Sequence, residues 1–522
     1  MHGSPLFPRA AVFLALAALA AGPSLAAAQR PLRVAVPRAT MALNDACTAA
    51  PGVLPESRAS GGVLRDSLTM APATYRLGGR QVTSNVYNGS YNAPTLRVDL
   101  GERVEVTVNN RMRPVGGQTQ AQVDTTNQHY HGLVVTPIPS EGDNVTHVAI
   151  GQGRSNVNRY PLLPAATGVQ SEGLMWYHPH PHGKTLPQVA GGLAGAMVVG
   201  DLLRHFPEYR GAAERILVIK SSDAGSTPTL NVNGVECPRL TVSASDDELW
   251  RILNATGNTF LNLKLRGYTF TVLAFDGNAV AAPMEQDSLF IPPGGRVEAI
   301  VRGGTGPWTT TLVAAPFLRG PKTAVKVADV STVGLSDDTH EEVRTKALAA
   351  RSRINVELAD SIRRLATATD VERFTLRFSF GAVDALLNDS VFRPGRLDRA
   401  VQVGRVQEWT LVNETTAPHT FHIHQTDFLI TSINGKDVEA DSVFFDNVTL
   451  GVHTDASGAV VGDTVTVRFK FHPVAVGPFV YHCHVLAHED EGMMQNICVY
   501  PQGSDASYCA QWFPGGSGGH AH

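Results

Sequence analysis

The 19 histidines of this chain are gathered rather than scattered. They form four clusters, "HYHG" (His129, His131), "WYHPHPHG" (His178, His180, His182), "HTFHIH" (His419, His422, His424) and "HCHVLAH" (His482, His484, His488). Between residues 206 and 418 only His340 occurs. On a strand, side chains at i and i+2 point to the same face, so a His-x-His pair offers two imidazoles to one spot. The pairs His129/His131, His178/His180, His422/His424 and His482/His484 together supply eight. That is too many for one ion and suits a cluster of several. The pairs come equally from the first and last thirds of the chain, so the cluster is expected where those regions meet. His182 reads as a neighbour of that site, and His147, His205, His340, His453 and His472 as ordinary surface or core residues.

Cys483 lies between His482 and His484, so its sulfur must point to the opposite face. There it can meet His419 and His488, with a methionine nearby. Two histidines, one cysteine and a weak axial methionine are the ligand set of a blue-copper electron-transfer site. Structural zinc favours paired cysteines or a closed four-ligand Cys/His set, and the His-x-His-x-Asp-His pattern of dinuclear zinc hydrolases is absent. The residue types therefore favour copper. An electron arriving at the Cys483 site would pass through that residue's backbone to His482 and His484. A one-electron entry point joined to a multi-metal cluster suits the four-electron reduction of dioxygen to water.

The elements that must position these residues read as β-strands. Segments such as "TFTVLAFDGNAV", "GRVEAIVRG" and "DTVTVRFKF" alternate apolar and polar residues between turn signals, as antiparallel sandwiches do. One phrase recurs three times, a Gly or Asp leading into a strand that ends in Asn: "GERVEVTVNN" (101–110), "DDELWRILNAT" (246–256) and "GRVQEWTLVNET" (404–415). Histidine clusters follow the first and third copies and not the second. Three related β-sandwich domains are expected, over residues 61–204, 205–338 and 371–511, with an irregular lead-in over 29–60. Residues 339–370 are rich in helix formers and read as a helical linker, and 512–522 as a flexible tail.

At 522 residues the chain exceeds one compact domain. A net charge of −4 and the lack of a basic run argue against nucleic acid or an anionic membrane surface as partner. Arg9, the apolar run 10–21 and the small residues Ala26-Ala27-Ala28 have the layout of a secretory signal peptide over 1–28. The run is too short to span a bilayer. An exported protein, periplasmic or secreted, is expected, and its four other cysteines, Cys47, Cys237, Cys498 and Cys509, have the number for two disulfides in any of three pairings.

With these motifs in this order, the chain resembles the multicopper oxidases, specifically the three-domain laccase-like type, from about residue 65 to 500. The resemblance includes "YNGSYNAPTLRVDLGERVEVTVNN", a middle domain with "FTVLAFDGNAV" and no copper motif, and all four copper motifs. It implies an all-β fold of three consecutive cupredoxin-like Greek-key β-sandwich domains. It also implies four coppers per monomeric chain. The type 1 copper would take His419, Cys483 and His488, with Met493, ten residues after the cysteine, as axial ligand. The type 2 copper would take His129 and His422, and the type 3 pair His131, His178, His180, His424, His482 and His484. Glu489 matches a carboxylate that relays protons in relatives. A second acid there follows the first motif; "IPSEGDNV" offers Glu141 and Asp143 off the usual spacing. Asp143 is the candidate, with an ordinary turn acid as the alternative.

Two departures from the family pattern fall in the third motif, where Thr420 stands for a proline and Gln425 for a glycine. Met494 competes with Met493 only if the loop is shifted. The family chemistry admits two donor classes, phenols and aromatic amines or cuprous ion. "WYHPHPHGKTLPQVAGGLAGAMVV" is similar to the matching stretch of bacterial copper-efflux oxidases, but those carry a methionine-rich segment over the type 1 site, where thioethers suit Cu(I). This chain has nine methionines and none in 339–370, which favours organic donors. A non-catalytic scaffold on the same fold would be expected to have lost ligands. A two-domain copper nitrite reductase would not need the His-Cys-His link.

Overall fold

The computed structural model describes residues 47–514 apart from 48, 222–228, 245, 304–308, 316–323, 334–354 and 439–442. The signal-peptide stretch, most of the tail and the first half of the 339–370 segment lie outside the described residues. The described chain is built of three β-sandwiches, and no strand is shared between them. The first packs a sheet of Arg80–Tyr87, Val63–Leu77, Arg103–Asn110 and Ser155–Pro161 against one of Glu56–Arg58, Thr95–Val98, Gly195–Val199, Gly173–His178 and His129–His131. The second lies between Ala213–Ser221 and Val325–Val333, and the third between Val371–Phe380 and Met494–Tyr500. Strand Glu56–Arg58 falls within the lead-in expected to be irregular; it pairs in parallel with Thr95–Val98, because its backbone completes the open edge of that sheet.

The recurring phrase has one structural meaning. Its three strands, Arg103–Asn110, Asp247–Asn254 and Val406–Asn413, each pair in parallel with the long strand that comes first in their own sheet. The terminal asparagine is buried in every copy. A buried amide must have both ends bonded, and here it closes the loop that follows. The Asn110 Nδ2 donates to Ile150 O at 2.9 Å, that of Asn254 to Thr259 O and Ile291 O, and that of Asn413 to Ala417 O and Gly451 O. Asn413 Oδ1 also accepts the Thr415 N–H at 2.9 Å, which sets the loop leading to His419.

The helix Val356–Ala366 falls within the 339–370 stretch. Asn355 caps its N-terminus by accepting the Leu358 N–H. At the other end Arg468 of the third sandwich donates to the Leu365 and Ala366 carbonyls, groups a helix end leaves unbonded. Disulfides join Cys47 to Cys237 and Cys498 to Cys509. The first ties the lead-in to the second sandwich and the second fastens the turn Ala506–Gln511 to the last strand. Cys483 takes part in neither disulfide and is buried.

Replacing Asn413 with alanine removes both ends of its amide while the groups it bonded stay buried. The expected cost is about 1–3 kcal/mol, measured as a fall in denaturant midpoint with an unchanged slope. A midpoint equal to that of the parent protein would show that the loop closes without the amide.

Candidate metal centre

Strand Gly477–Cys483 runs between His419–Ile423 and Met494–Tyr500. Its register pairs Cys483 with Phe421, and His482 with both His422 and Met494. Paired residues share a face, so His482, His422 and Met494 look one way while Cys483 and Met493 look the other. Cys483 Sγ lies 3.7 Å from His419 Nδ1 and 3.6 Å from His488 Nδ1. The three ligand atoms are within 4.8 Å of one another and all three residues are buried. Thr415 Oγ1 is 2.9 Å from His419 Nε2 and holds the far side of that ring. The Cys483 N–H donates to Met493 O, and the Met493 N–H to His488 O. Met493 shares the core around Cys483, whereas Met494 packs with Val145, Phe392 and Val480.

On the opposite face the eight paired histidines converge. Rings from the first and third sandwiches interleave: His129 stacks on His424 and His131 on His422, both at 3.8 Å between centroids. His180 meets His482 edge-on at 4.6 Å. Only His129–His131 lies wholly within a strand; the other pairs begin on a strand and run past its end. The convergence there owes more to the loops than strand alternation alone implies.

Most of these rings are fixed through one nitrogen. His129 Nδ1 is 2.8 Å from Asp143 Oδ2, which also accepts the Tyr130 N–H. His178 Nδ1 is 2.9 Å from Pro179 O, His422 Nδ1 is 2.7 Å from Asp446 O, and His131 Nε2 is 3.2 Å from Asp446 Oδ1. The opposite nitrogens, His129 Nε2, His178 Nε2, His422 Nε2 and His131 Nδ1, are buried without a hydrogen-bond partner, as are His424 Nδ1 and both nitrogens of His484. Burial, reinforced by neighbouring imidazoles, holds His129, His131, His178, His422 and His424 well below the usual histidine range. Neutral imidazoles with a lone pair aimed into a shared space have the chemistry of metal ligands. Ligand atoms fall into groups such as His129, His422, His424 and His180, His424, His482, each within 4.8 Å. The residues fit copper at both places.

Glu489 is fully buried, with its carboxylate 3.4 Å from His180 Nδ1 and 3.1 Å from His482 Nδ1. Burial alone would raise its pKa, but those two histidines hold it below the usual carboxylate range. Burial pushes Asp143 up to about 7, opposed by the Tyr130 N–H. Glu141, the other acid of that loop, is exposed. His182 is half-buried against Phe392. Gln425 adopts φ of 62°, a left-handed conformation that favours glycine. Its side chain accepts the Val135 N–H at 3.0 Å and donates to Asp143 O at 3.3 Å, tying the third sandwich to the first.

Four residues without a sequence signal complete the site. Asp446 and Asn447 touch His131, Arg296 holds Asp446, and Gly294 lies flat against the His484 ring. Arg296 and Gly294 belong to the second sandwich, which carries none of the eight histidines.

Three sandwiches with these two ligand sets define a multidomain cupredoxin-type metalloprotein. The multicopper oxidase family matches three successive stretches, residues 69–203, 176–319 and 360–503. Together they span most of the chain, which belongs to that family, the copper-dependent oxidoreductases that use oxygen as acceptor. The multicopper oxidase mco of Staphylococcus haemolyticus is 24% identical over 435 residues, covering 79% of this chain and 83% of its own. The cell division protein FtsP of Edwardsiella tarda is 26% identical over 457 residues, 81% and 87% of the two chains. Among solved structures, a metallo-oxidase from Campylobacter jejuni superposes with a TM-score of 0.66 at 22% identity over 87% of this chain and 95% of its own. The laccase-like multicopper oxidase CueO of Ochrobactrum sp., with activity towards lignin model compounds, gives 0.66 at 24% over 87% and 100%.

A Cβ on Gly294 would stand 2.7 Å from the His484 ring, at a φ of +79°. Gly294→Ala is expected to destabilise the protein by about 1–3 kcal/mol and to release cluster copper to a chelator sooner. Unfolding and copper loss indistinguishable from the parent would show that the ring moves freely.

Proposed function

We propose that this protein is a laccase-like oxidase that takes single electrons from phenols and aromatic amines. In this reading His419, Cys483, His488 and Met493 would hold the type 1 copper. His129 and His422 hold the type 2 copper, and the remaining six paired histidines the type 3 pair. Copper in the first set supplies one-electron oxidation and in the second the four-electron reduction of dioxygen to water.

The observation that carries the reading is the register at Cys483. Its sulfur lies beside His419 and His488, while the imidazoles on either side of it join the eight-histidine cluster. One residue's backbone therefore connects two ligand sets. The buried Glu489, between His180 and His482, is placed as an ionised carboxylate to accept protons and pass them on beside the cluster. Asp143 fixes the His129 ring from behind and acts by positioning. The export expected from residues 1–28 would put this chemistry in the periplasm or outside the cell.

The preference for organic donors rests on what covers the electron-entry site. His419 and His488 are buried, and the Phe380 ring sits 5.4 and 5.1 Å from them while remaining 43% exposed. A planar aromatic donor can stack on that ring, whereas the sequence of residues 339–370 offers no thioether to a soft cuprous ion. Cuprous ion is the alternative donor that the test must separate.

Oxygen uptake by the copper-loaded protein is expected to be faster with a dimethoxyphenol than with Cu(I), and the protein to be intensely blue. Faster uptake with Cu(I) would reassign the donor, and activity on neither or a colourless holoprotein would contradict the reading. Cys483→Ser should lose both colour and turnover while staying folded. Phe380→Ala should raise KM for the phenol about 2- to 12-fold, the worth of one aromatic contact, with the blue band unchanged. An unaltered KM would remove Phe380 from the donor site.

A further inference from the structure

Arg296 is a fully buried cation in the sandwich that bears no cluster histidine, yet its guanidinium lies at the meeting point of all three. A guanidinium has five N–H donors, and five oxygen acceptors surround this one, with Met175 Sδ 3.6 Å from Nη2 besides. Nη1 donates to Asp446 Oδ1 at 2.8 Å and Gly294 O at 3.3 Å; Nη2 donates to Asp446 Oδ2 at 2.7 Å and Asp276 O at 2.8 Å; Nε donates to Leu174 O at 3.1 Å. Leu174 belongs to strand Gly173–His178 of the first sandwich. Its N–H is taken by Glu298, two residues along from Arg296. Asp446 belongs to the third sandwich. Its backbone N–H and that of Asn447 lie 3.4 and 3.1 Å from Asp276 Oδ2.

Asp446 passes this grip on to two histidines from different domains. Its Oδ1 is 3.2 Å from His131 Nε2 and its main-chain O is 2.7 Å from His422 Nδ1. A proton directed to each of those nitrogens leaves His131 Nδ1 and His422 Nε2 bare, the two that have no partner. Asn447 Nδ2 donates to the same Asp446 Oδ1 at 2.7 Å and adds to its fixing. We propose that Arg296 and Asp446 form a positioning pair through which the middle domain sets the tautomer and orientation of His131 and His422 for metal. The two rings stack at 3.8 Å, one from each side of the domain interface. A single carboxylate that reaches both can hold the two halves of the cluster in register. Its two-pronged ion pair keeps that carboxylate from turning. The middle domain would thus serve the cluster without contributing a ligand.

The proposal rests on the copper reading of the histidines and is tested by metal content and spectroscopy. The variants are Asp446→Asn, Arg296→Met, their double, and Arg296→Lys, which keeps the charge but not the fork. Asp446→Asn is expected to weaken retention of cluster copper against a chelator about 10–100-fold. It should alter the electron paramagnetic resonance signal of the copper on His129 and His422 while the blue band stays constant. Arg296→Met leaves the buried Asp446 and Asp276 carboxylates without their cation, and Asp446→Asn leaves Arg296 with Asp276 alone, 3.6 Å away, so each single variant should lower Tm. The double removes the mismatch at Asp446 but not that at Asp276, so its Tm should recover in part above that of Arg296→Met while its cluster copper stays depleted. Arg296→Lys should fall between. A double variant, or Arg296→Lys, with the copper retention and resonance spectrum of the parent would overturn the proposal and leave the pair a role in folding alone. Parent protein that takes up no copper would overturn the underlying reading instead.

Discussion

Burying eight imidazoles together is the constraint on which the rest of this molecule turns. A buried polar atom without a partner costs free energy, and this cluster leaves unbonded nitrogens on His129, His131, His178, His422, His424 and His484. Protonation cannot relieve them, because burial and crowding push the imidazoles the other way. A metal cation satisfies several lone pairs at once and turns a liability into binding energy. The surrounding groups Asp143, Pro179 and Asp446 each bond a nitrogen that faces away from the shared space.

The fold supplies this arrangement by bringing two sandwiches face to face and wedging the third behind them. Gln425 shows how closely the interface is drawn. It occupies a left-handed position and uses its side chain to bond both the Val135 N–H and the Asp143 carbonyl across the interface. The strand bearing Cys483 sends that sulfur into the third sandwich and the His482 imidazole out of it, and His484 follows just past its end. The partner strand begins at Met494, paired with His482, with Met493 immediately before it.

Much of the site was legible because it is written in local spacing. His-x-His pairs, a cysteine between two of them and a strand ending in asparagine are patterns of a few residues, and they gave the three-sandwich fold and the two groups of side chains. The contacts that hold the rings from outside were not legible, since Asp446 in "FFDNVTL" and Arg296 in "PPGGRVEAI" have no fixed spacing to any histidine. Their meeting depends on how three domains pack. The disulfide pairing was open for the same reason. Asp143 was a weak candidate by its spacing, and only the folded loop brings its carboxylate behind His129.

The central claim is that two separate copper sites meet at one cysteine. Anomalous diffraction at the copper edge from copper-loaded crystals tests it most directly. The expected map has one isolated peak against His419, Cys483 and His488, and a compact group of peaks among the eight paired histidines on the far side of residues 482–484. Peaks at only one of the two places, or density at the histidine cluster that is absent just above the copper edge and appears only above the zinc edge, would contradict it.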